Sequence, residues 1–302
     1  MREQIGIAIV TDKTFLPHAA TAAHSLLSSN PGQFRRVFFV SPDLVGHNFS
    51  TVRDFLERRH QAQVELVRVS RQKYQHMYSG NKYGSIVWLK LFAPDSLPLD
   101  LNYCLLLDAD TVVLRPLKAL VDIANAGFSG GGVVWAVQEG DGSNLRQHGF
   151  LSDRYFNSGV LFFNLEAWRK NSFLEKMLSI EKSTRRGRKW VDQDVMNLCF
   201  EGQWEGLPRS YNFGPRNVPD VAPPHIAHFS SPTKPWMWGC SHPNSKDYDF
   251  WRKQIPLRRG FKTGFFAFLV RSAFDWRFRK AVRRVLRRLR KALAAAGRRV
   301  GF

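Results

Sequence analysis

The sequence predicts an α/β protein, a mainly parallel sheet with helices on both faces, followed by a basic amphipathic helical extension. Three observations carry this. Short apolar runs alternate with helical patterns through the first half of the 302 residues, which is the signature of strands joined by crossover helices. The apolar run Tyr103 to Leu107 stops at Asp108-Ala109-Asp110, so a buried strand delivers two carboxylates to the carboxyl edge of the sheet, where ligands of open α/β sheets bind. After about Trp251 the composition changes to arginine interleaved with apolar residues at helical spacing.

The elements follow in order. Ile5 to Val10 reads as a strand, Ala19 to Leu27 as a helix and Arg36 to Val40 as a second strand. Val52 to Arg59 is helical, Val64 to Val69 extended and Ile86 to Phe92 helical before the strand at Tyr103. The glycine cluster Gly127 to Gly132 precedes another strand, Val133 to Val137. The second half is more irregular, with Pro208, Pro215, Pro219, Pro223, Pro224, Pro232 and Pro235 setting long loops. Long loops on one edge of a rigid sheet usually carry function.

The net charge of +20 is unevenly placed. From Arg252 onward there are 17 basic residues and one acid, Asp275, so the body before it is nearly neutral. Cys104, Cys199 and Cys240 have no CxxC spacing, which argues for a reducing compartment and against a disulfide framework or a zinc site. Met1 to Gln4 lead at once into an apolar strand, and the late apolar run Phe265 to Val270 is too short to cross a bilayer. The expectation is a cytoplasmic protein.

Asp108 and Asp110 are hard oxygen donors at a spacing that suits a divalent cation with open positions for phosphate oxygens. Four further segments bear on them. In Tyr155 to Asn164, Asn157-Ser158-Gly159 places an amide, a hydroxyl and a bare backbone before a buried strand, although alone it also fits an ordinary turn. Asp192-Gln193 opens a helical segment through Asn197, where Asp192 also fits a plain N-cap. His228 and Lys234 share a Pro-framed loop ending at Trp236. Alone, the first reads as a structural hydrogen-bonder and the second as a solvated charge. Thr11 and Asp12, with Phe15, stand at the end of the first strand, where a base can stack on the ring or the ring can simply fill the core.

In that order, the five segments resemble the family 8 glycosyltransferases, most closely the bacterial lipopolysaccharide hexosyltransferases, over roughly Ile5 to Trp251. The resemblance implies a GT-A fold (Rossmann-like, for nucleotide-diphospho-sugars) as a single domain, residues 1–251, with residues 252–302 as a tail. It implies a UDP-hexose donor, Mn²⁺ as cofactor and retention of anomeric configuration. Position by position, Asp108, Asp110 and His228 would hold the metal, with Ala109 between them at the nucleotide, and Lys234 would contact the diphosphate. Thr11 and Asp12 would meet the uracil and Phe15 would stack on it, with Lys90 near the nucleotide-sugar. Asn157, Asp192 and Gln193 would surround the transferred hexose, and Glu139 sits where an acceptor-contacting acid is expected. Three positions depart from the pattern: Ser231 replaces a glycine, Trp88 an arginine that reaches the donor, and Thr14 an asparagine. They leave the donor sugar open.

The chemistry matches these residue types. Leaving-group departure builds negative charge on the diphosphate and positive charge on the ring. Gln193 is a neutral amide whose carbonyl dipole can face the cationic ring, and Asp192 can bind hydroxyls or act as nucleophile in a double displacement. Front-face substitution is the favoured expectation.

In the tail, Phe274, Phe278, Val282, Val285, Leu289, Leu293 and Ala296 recur at steps of three or four, and arginines fill the rest. A cationic amphipathic helix of this kind suits an anionic membrane surface. Nucleic acid, which would not need the apolar stripe, is not expected as a partner, and a solvated extension is the bland reading. The sequence therefore points to a retaining UDP-hexose transferase, peripheral on the inner face of the plasma membrane, acting on a glycan or glycolipid such as a lipopolysaccharide core. The alternatives are a family member with a protein or storage-polysaccharide acceptor, and a non-catalytic basic membrane- or nucleic-acid-binding protein on a transferase scaffold.

Overall fold

The strands are β1 Ile5–Val10, β2 Arg36–Ser41, β3 Gln63–Arg68, β4 Tyr103–Asp108, β5 Thr111–Val113, β6 Val134–Gln138, β7 Phe156–Asn164, β8 Trp204–Gly206 and β9 Ile226–His228. The helices are α1 Leu16–Ser29, α2 His47–His60, α3 Leu89–Ser96, α4 Lys118–Ala126, α5 Leu165–Lys170, α6 Phe173–Ser183, α7 Val191–Cys199 and α8 Ser245–Arg252. The computed structural model describes residues 5–44, 46–77, 84–127, 132–139, 150, 153–183, 191–214, 223–258 and 262–264. The amphipathic stripe from Phe274 to Ala296 lies outside them.

One sheet runs β3-β2-β1-β4-β7-β6-β8, and β5 pairs with β9 in a second. β3, β2, β1 and β4 are parallel. The continuous apolar runs of β2, β1 and β4 reflect burial on both faces, while β3, at the sheet edge, is partly exposed. Ile7, Ile9, Leu105 and Leu107 point into one core, under α1 and α2, while Ala8, Cys104 and Leu106 point into the other, under α3 and α7.

The sheet is mixed rather than parallel throughout. β7 is antiparallel to both β4 and β6. The reason is legible in hindsight: no helical pattern separates Val137 from Tyr155, and an antiparallel neighbour needs no crossover helix. This reversal sets the start of β7 beside the end of β4, which is what assembles the site.

The expected helix at Ile86 to Phe92 is split. A 3₁₀ turn spans Ser85–Trp88 and α3 follows at Leu89. Trp88 is 1 % exposed and packs in the core.

Two compact units emerge. The first is Met1–Pro232 with His242–Arg259, and the second is Thr233–Ser241 with Gly260–Phe302. The first unit thus runs past the sequence boundary at Trp251: Ile255 is buried in its core, and Arg252 donates to the carbonyls of Leu257 and Arg258. Within the second, Thr263 N–H donates to Trp236 O and Trp238 N–H to Thr263 O.

Candidate active site

β4 ends on Asp108, and a tight turn carries the chain through Ala109 and Asp110 into β5. Thr111 of β5 pairs with His228 of β9, and Phe229 N–H donates to Asp110 O at 2.9 Å. This small sheet brings His228 across 118 residues of sequence to the two carboxylates. His228 Nε2 lies 3.4 Å from Asp110 Oδ1 and 3.6 Å from Asp108 Oδ2. One ligand atom from each of the three residues falls within 4.8 Å of the others. Two carboxylates and one imidazole form a donor set that suits a divalent cation accepting both oxygen and nitrogen.

Room for the imidazole comes from Gly159. A Cβ there would lie 2.1 Å from His228 Cε1, so the ring occupies the space a side chain would take. That is why the Asn-Ser-Gly segment needs its glycine. The other ring nitrogen, His228 Nδ1, is 2.8 Å from Asn212 Oδ1.

Lys90, on α3 and 7 % exposed, sits between two acids. Its Nζ is 2.7 Å from Asp108 Oδ1 and 3.2 Å from Asp192 Oδ2, and it donates to Ser158 Oγ at 3.3 Å. Burial alone would lower the Lys90 ammonium, but Asp108 and then Asp192 overcome it and hold it above its ordinary range. For Asp108, burial pushes the carboxyl upward, with Asp110 adding to it and Lys90 and His228 opposing. A cation at this point relieves the repulsion between the two aspartates.

α7 supplies the next group. Gln193 Oε1 accepts from Ser158 N–H at 2.9 Å, and Asp192 Oδ2 accepts from Ser158 Oγ at 3.2 Å. Gln193 Nε2 and Asn157 Nδ2 each donate to Glu139 Oε2 at 3.0 Å. Asp192 lies in the first turn of α7, with Asp194, rather than at an N-cap. Asp194 accepts from Tyr155 Oη at 2.5 Å.

At the end of β1, Thr11 is buried, and Asp12 Oδ1 accepts from the backbone N–H groups of Thr14 and Phe15, both at 2.8 Å. Phe15 is 40 % exposed with its ring edge-on to His18, so it is not a core residue. Lys234 belongs to the second unit, where its carbonyl accepts from Met237 N–H.

The structure therefore brings together Asp108, Asp110, His228, Lys90, Asn157, Asp192, Gln193 and Glu139. Sequence reasoning missed two residues that join them. Ser158 ties Lys90 to Asp192 through its hydroxyl and Gln193 to β7 through its backbone. Asn212 braces His228 and also donates to Asn157 Oδ1 at 3.0 Å. Ser158 lay within a segment already singled out, whereas Tyr211-Asn212-Phe213 carries no local signal.

The profile of glycosyl transferase family 8 matches residues 6–238. The chain belongs to that family. It is 28 % identical over 271 residues to the lipopolysaccharide 1,2-glucosyltransferase of Escherichia coli K12, covering 85 % of this chain and 80 % of that protein. It is 21 % identical over 261 residues to the lipopolysaccharide 1,3-galactosyltransferase of Salmonella typhimurium LT2, covering 79 % of this chain and 75 % of that one. Among solved structures, the galactosyltransferase LgtC in complex with donor and acceptor sugar analogs superposes with a TM-score of 0.74 at 20 % identity, over 84 % of this chain and 97 % of that one. The fold of this family 8 hexosyltransferase is GT-A.

Proposed function

We propose that this family 8 enzyme transfers a hexose, glucose or galactose, from a UDP-sugar to a lipopolysaccharide-type glycan with retention of configuration, and that its metal is Mn²⁺. The observation that carries the reading is the convergence of Asp108, Asp110 and His228 on one point, beside a second polar group built from Asp192, Gln193, Asn157 and Glu139. The donor set fits the metal: two carboxylates and an imidazole whose far nitrogen is braced. When bound, Mn²⁺ supplies Lewis-acid stabilisation of the departing diphosphate, typically worth several kcal/mol.

The remaining work falls to the chain. Thr11, Asp12 and Phe15 would receive the uracil, the exposed ring offering a stacking face. Lys234 would place a fixed positive charge at the diphosphate, and Lys90 would do the same at the sugar's side of the nucleotide. Gln193 faces the developing cation as a neutral dipole, with its carbonyl direction held by Ser158 N–H. Asp192 is ion-paired to Lys90 and hydrogen-bonded by Ser158, which quenches it as a nucleophile. This supports a one-face substitution: the bond from anomeric carbon to phosphate oxygen breaks, the acceptor oxygen bonds to the same face, and its proton passes to the departing phosphate oxygen. Glu139, linked to Gln193 and Asn157, would contact the acceptor.

Sugar release from a panel of UDP-hexoses, with and without Mn²⁺, tests the reading. The expected result is metal-dependent UDP release with UDP-glucose or UDP-galactose. Equal turnover after exhaustive chelation overturns it.

No helix among the described residues is long and apolar enough to cross a membrane. We place the enzyme on the cytoplasmic leaflet through the basic stripe of residues 252–302, beside a lipid-anchored acceptor. The composition of that stretch supports this, since each basic residue near an anionic surface adds about 1 kcal/mol.

A further inference from the structure

Hydrogen-bond polarity can be traced through the site from one donor that has no alternative. Gly159 N–H lies 2.9 Å from Asn157 Oδ1, so that side-chain atom is an oxygen. Asn157 Nδ2 therefore turns to the Glu139 carboxylate, which only accepts, at 3.0 Å. The Asn212 atom 3.0 Å from Asn157 Oδ1 must then be its amide nitrogen. That leaves Asn212 Oδ1 facing His228 Nδ1 at 2.8 Å, and an amide oxygen only accepts. His228 must carry its proton on Nδ1. When the ring carries a single proton, Nε2, the atom aimed at Asp108 and Asp110, is therefore the one with the lone pair.

We propose that Asn212 is a positioning residue for the metal site, selecting the His228 tautomer whose Nε2 is bare and locking the ring against the backbone of Gly159. The group acts as a rigid chain, Glu139–Asn157–Asn212–His228, that ties the acceptor side of the site to the metal side. Ligating histidines generally need such a partner at the far nitrogen, because a ring free to rotate or to shift its proton binds metal less often in the right state. Asn212 and His228 are both buried, so water does not substitute for the amide. The inference rests on the metal reading above.

Two measurements test it. Long-range ¹H–¹⁵N correlation of the metal-free, histidine-labelled enzyme at alkaline pH, with His228→Gln to assign the signal, reads the tautomer directly. The expected pattern is a protonated Nδ1 in the wild type and a loss of that preference in Asn212→Leu. Calorimetric titration of Mn²⁺ in the presence of UDP should show Asn212→Leu weakened by about 10- to 100-fold. Asn212→Asp still accepts from Nδ1–H but sets a second acceptor oxygen against Asn157 Oδ1, so it should keep the Nδ1–H tautomer and bind Mn²⁺ more tightly than the leucine variant. A wild-type Nε2–H tautomer overturns the inference. So does a leucine variant with unaltered Mn²⁺ affinity, or an aspartate variant that loses as much as the leucine one. Absence of Mn²⁺-dependent UDP binding in the wild type would instead sink the metal reading, with the tautomer still decided by the spectrum.

Discussion

At the scale of single residues, the site is a problem of opposed charges in a confined space. Asp108 and Asp110 repel one another, and Lys90 relieves only part of that. Removing one carboxylate from such a group costs metal binding rather than folding. Asp110→Asn should therefore fold, with UDP release reduced by about 100-fold or more, as loss of about 3 kcal/mol of leaving-group stabilisation implies. A variant with wild-type rate at limiting Mn²⁺ would remove Asp110 from the ligand set. The two acids ending a buried strand stood out in the sequence by their type and place, whereas the parts expected of His228, Lys90, Asn157, Asp192, Gln193 and Glu139 came from the family resemblance. Ser158, Asn212 and the reason for Gly159 were legible in neither way. Their roles depend on partners distant in sequence, such as the ring that reaches Gly159 from 69 residues further along, and no local pattern encodes that arrival.

At the scale of elements, α7 and β7 are joined by a clamp outside the reacting centre. Asn197 Oδ1 accepts from Phe156 N–H at 2.8 Å, and its Nδ2 donates to Phe156 O at 2.9 Å. Asn197→Ala leaves both buried backbone groups unsatisfied, at a cost of about 1–3 kcal/mol. Urea denaturation should show a lower midpoint with unchanged slope. A second contact joins α1 to α2, where His24 Nδ1 and His60 Nε2 are 2.8 Å apart. Burial, then the neighbouring His24 and Arg59, lower His60 from 6.5 to about 4, and burial lowers His24 as well. The unfolded chain binds more protons across that window, so this contact stabilises fully above about 6.5 and loses its contribution as pH falls toward 4. The urea midpoint should drop over that range, and His60→Asn should flatten the drop. The first strands and helices followed from periodicity to within about five residues, since burial leaves that trace directly, whereas the helices Lys118–Ala126, Leu165–Lys170, Phe173–Ser183 and Ser245–Arg252 were not anticipated. The direction of β7 did not follow either, because pairing partners are set by long-range contacts.

At the scale of the molecule, a central sheet positions the site and a basic stretch of chain follows it. The cut that separates their roles is after Gly264 rather than Trp251, because Ile255 is part of the core and Thr263 pairs with Trp236 and Trp238. That cut removes 12 basic residues and one acid. The shortened enzyme should keep Mn²⁺-dependent UDP-sugar hydrolysis and lose co-sedimentation with anionic vesicles. Undiminished vesicle binding would refute the membrane role. Charge and spacing suggest that role from the sequence alone, while the two-unit division was hidden because Thr233–Ser241 departs from the first unit in mid-sequence. One feature of the sheet bears on how such an enzyme diversifies. Glu139 N–H donates to Tyr155 O at 2.7 Å, pinning together the two ends of the connector between β6 and β7. A connector stapled at its base can lengthen, shorten or change composition without passing strain to the aspartates and the imidazole.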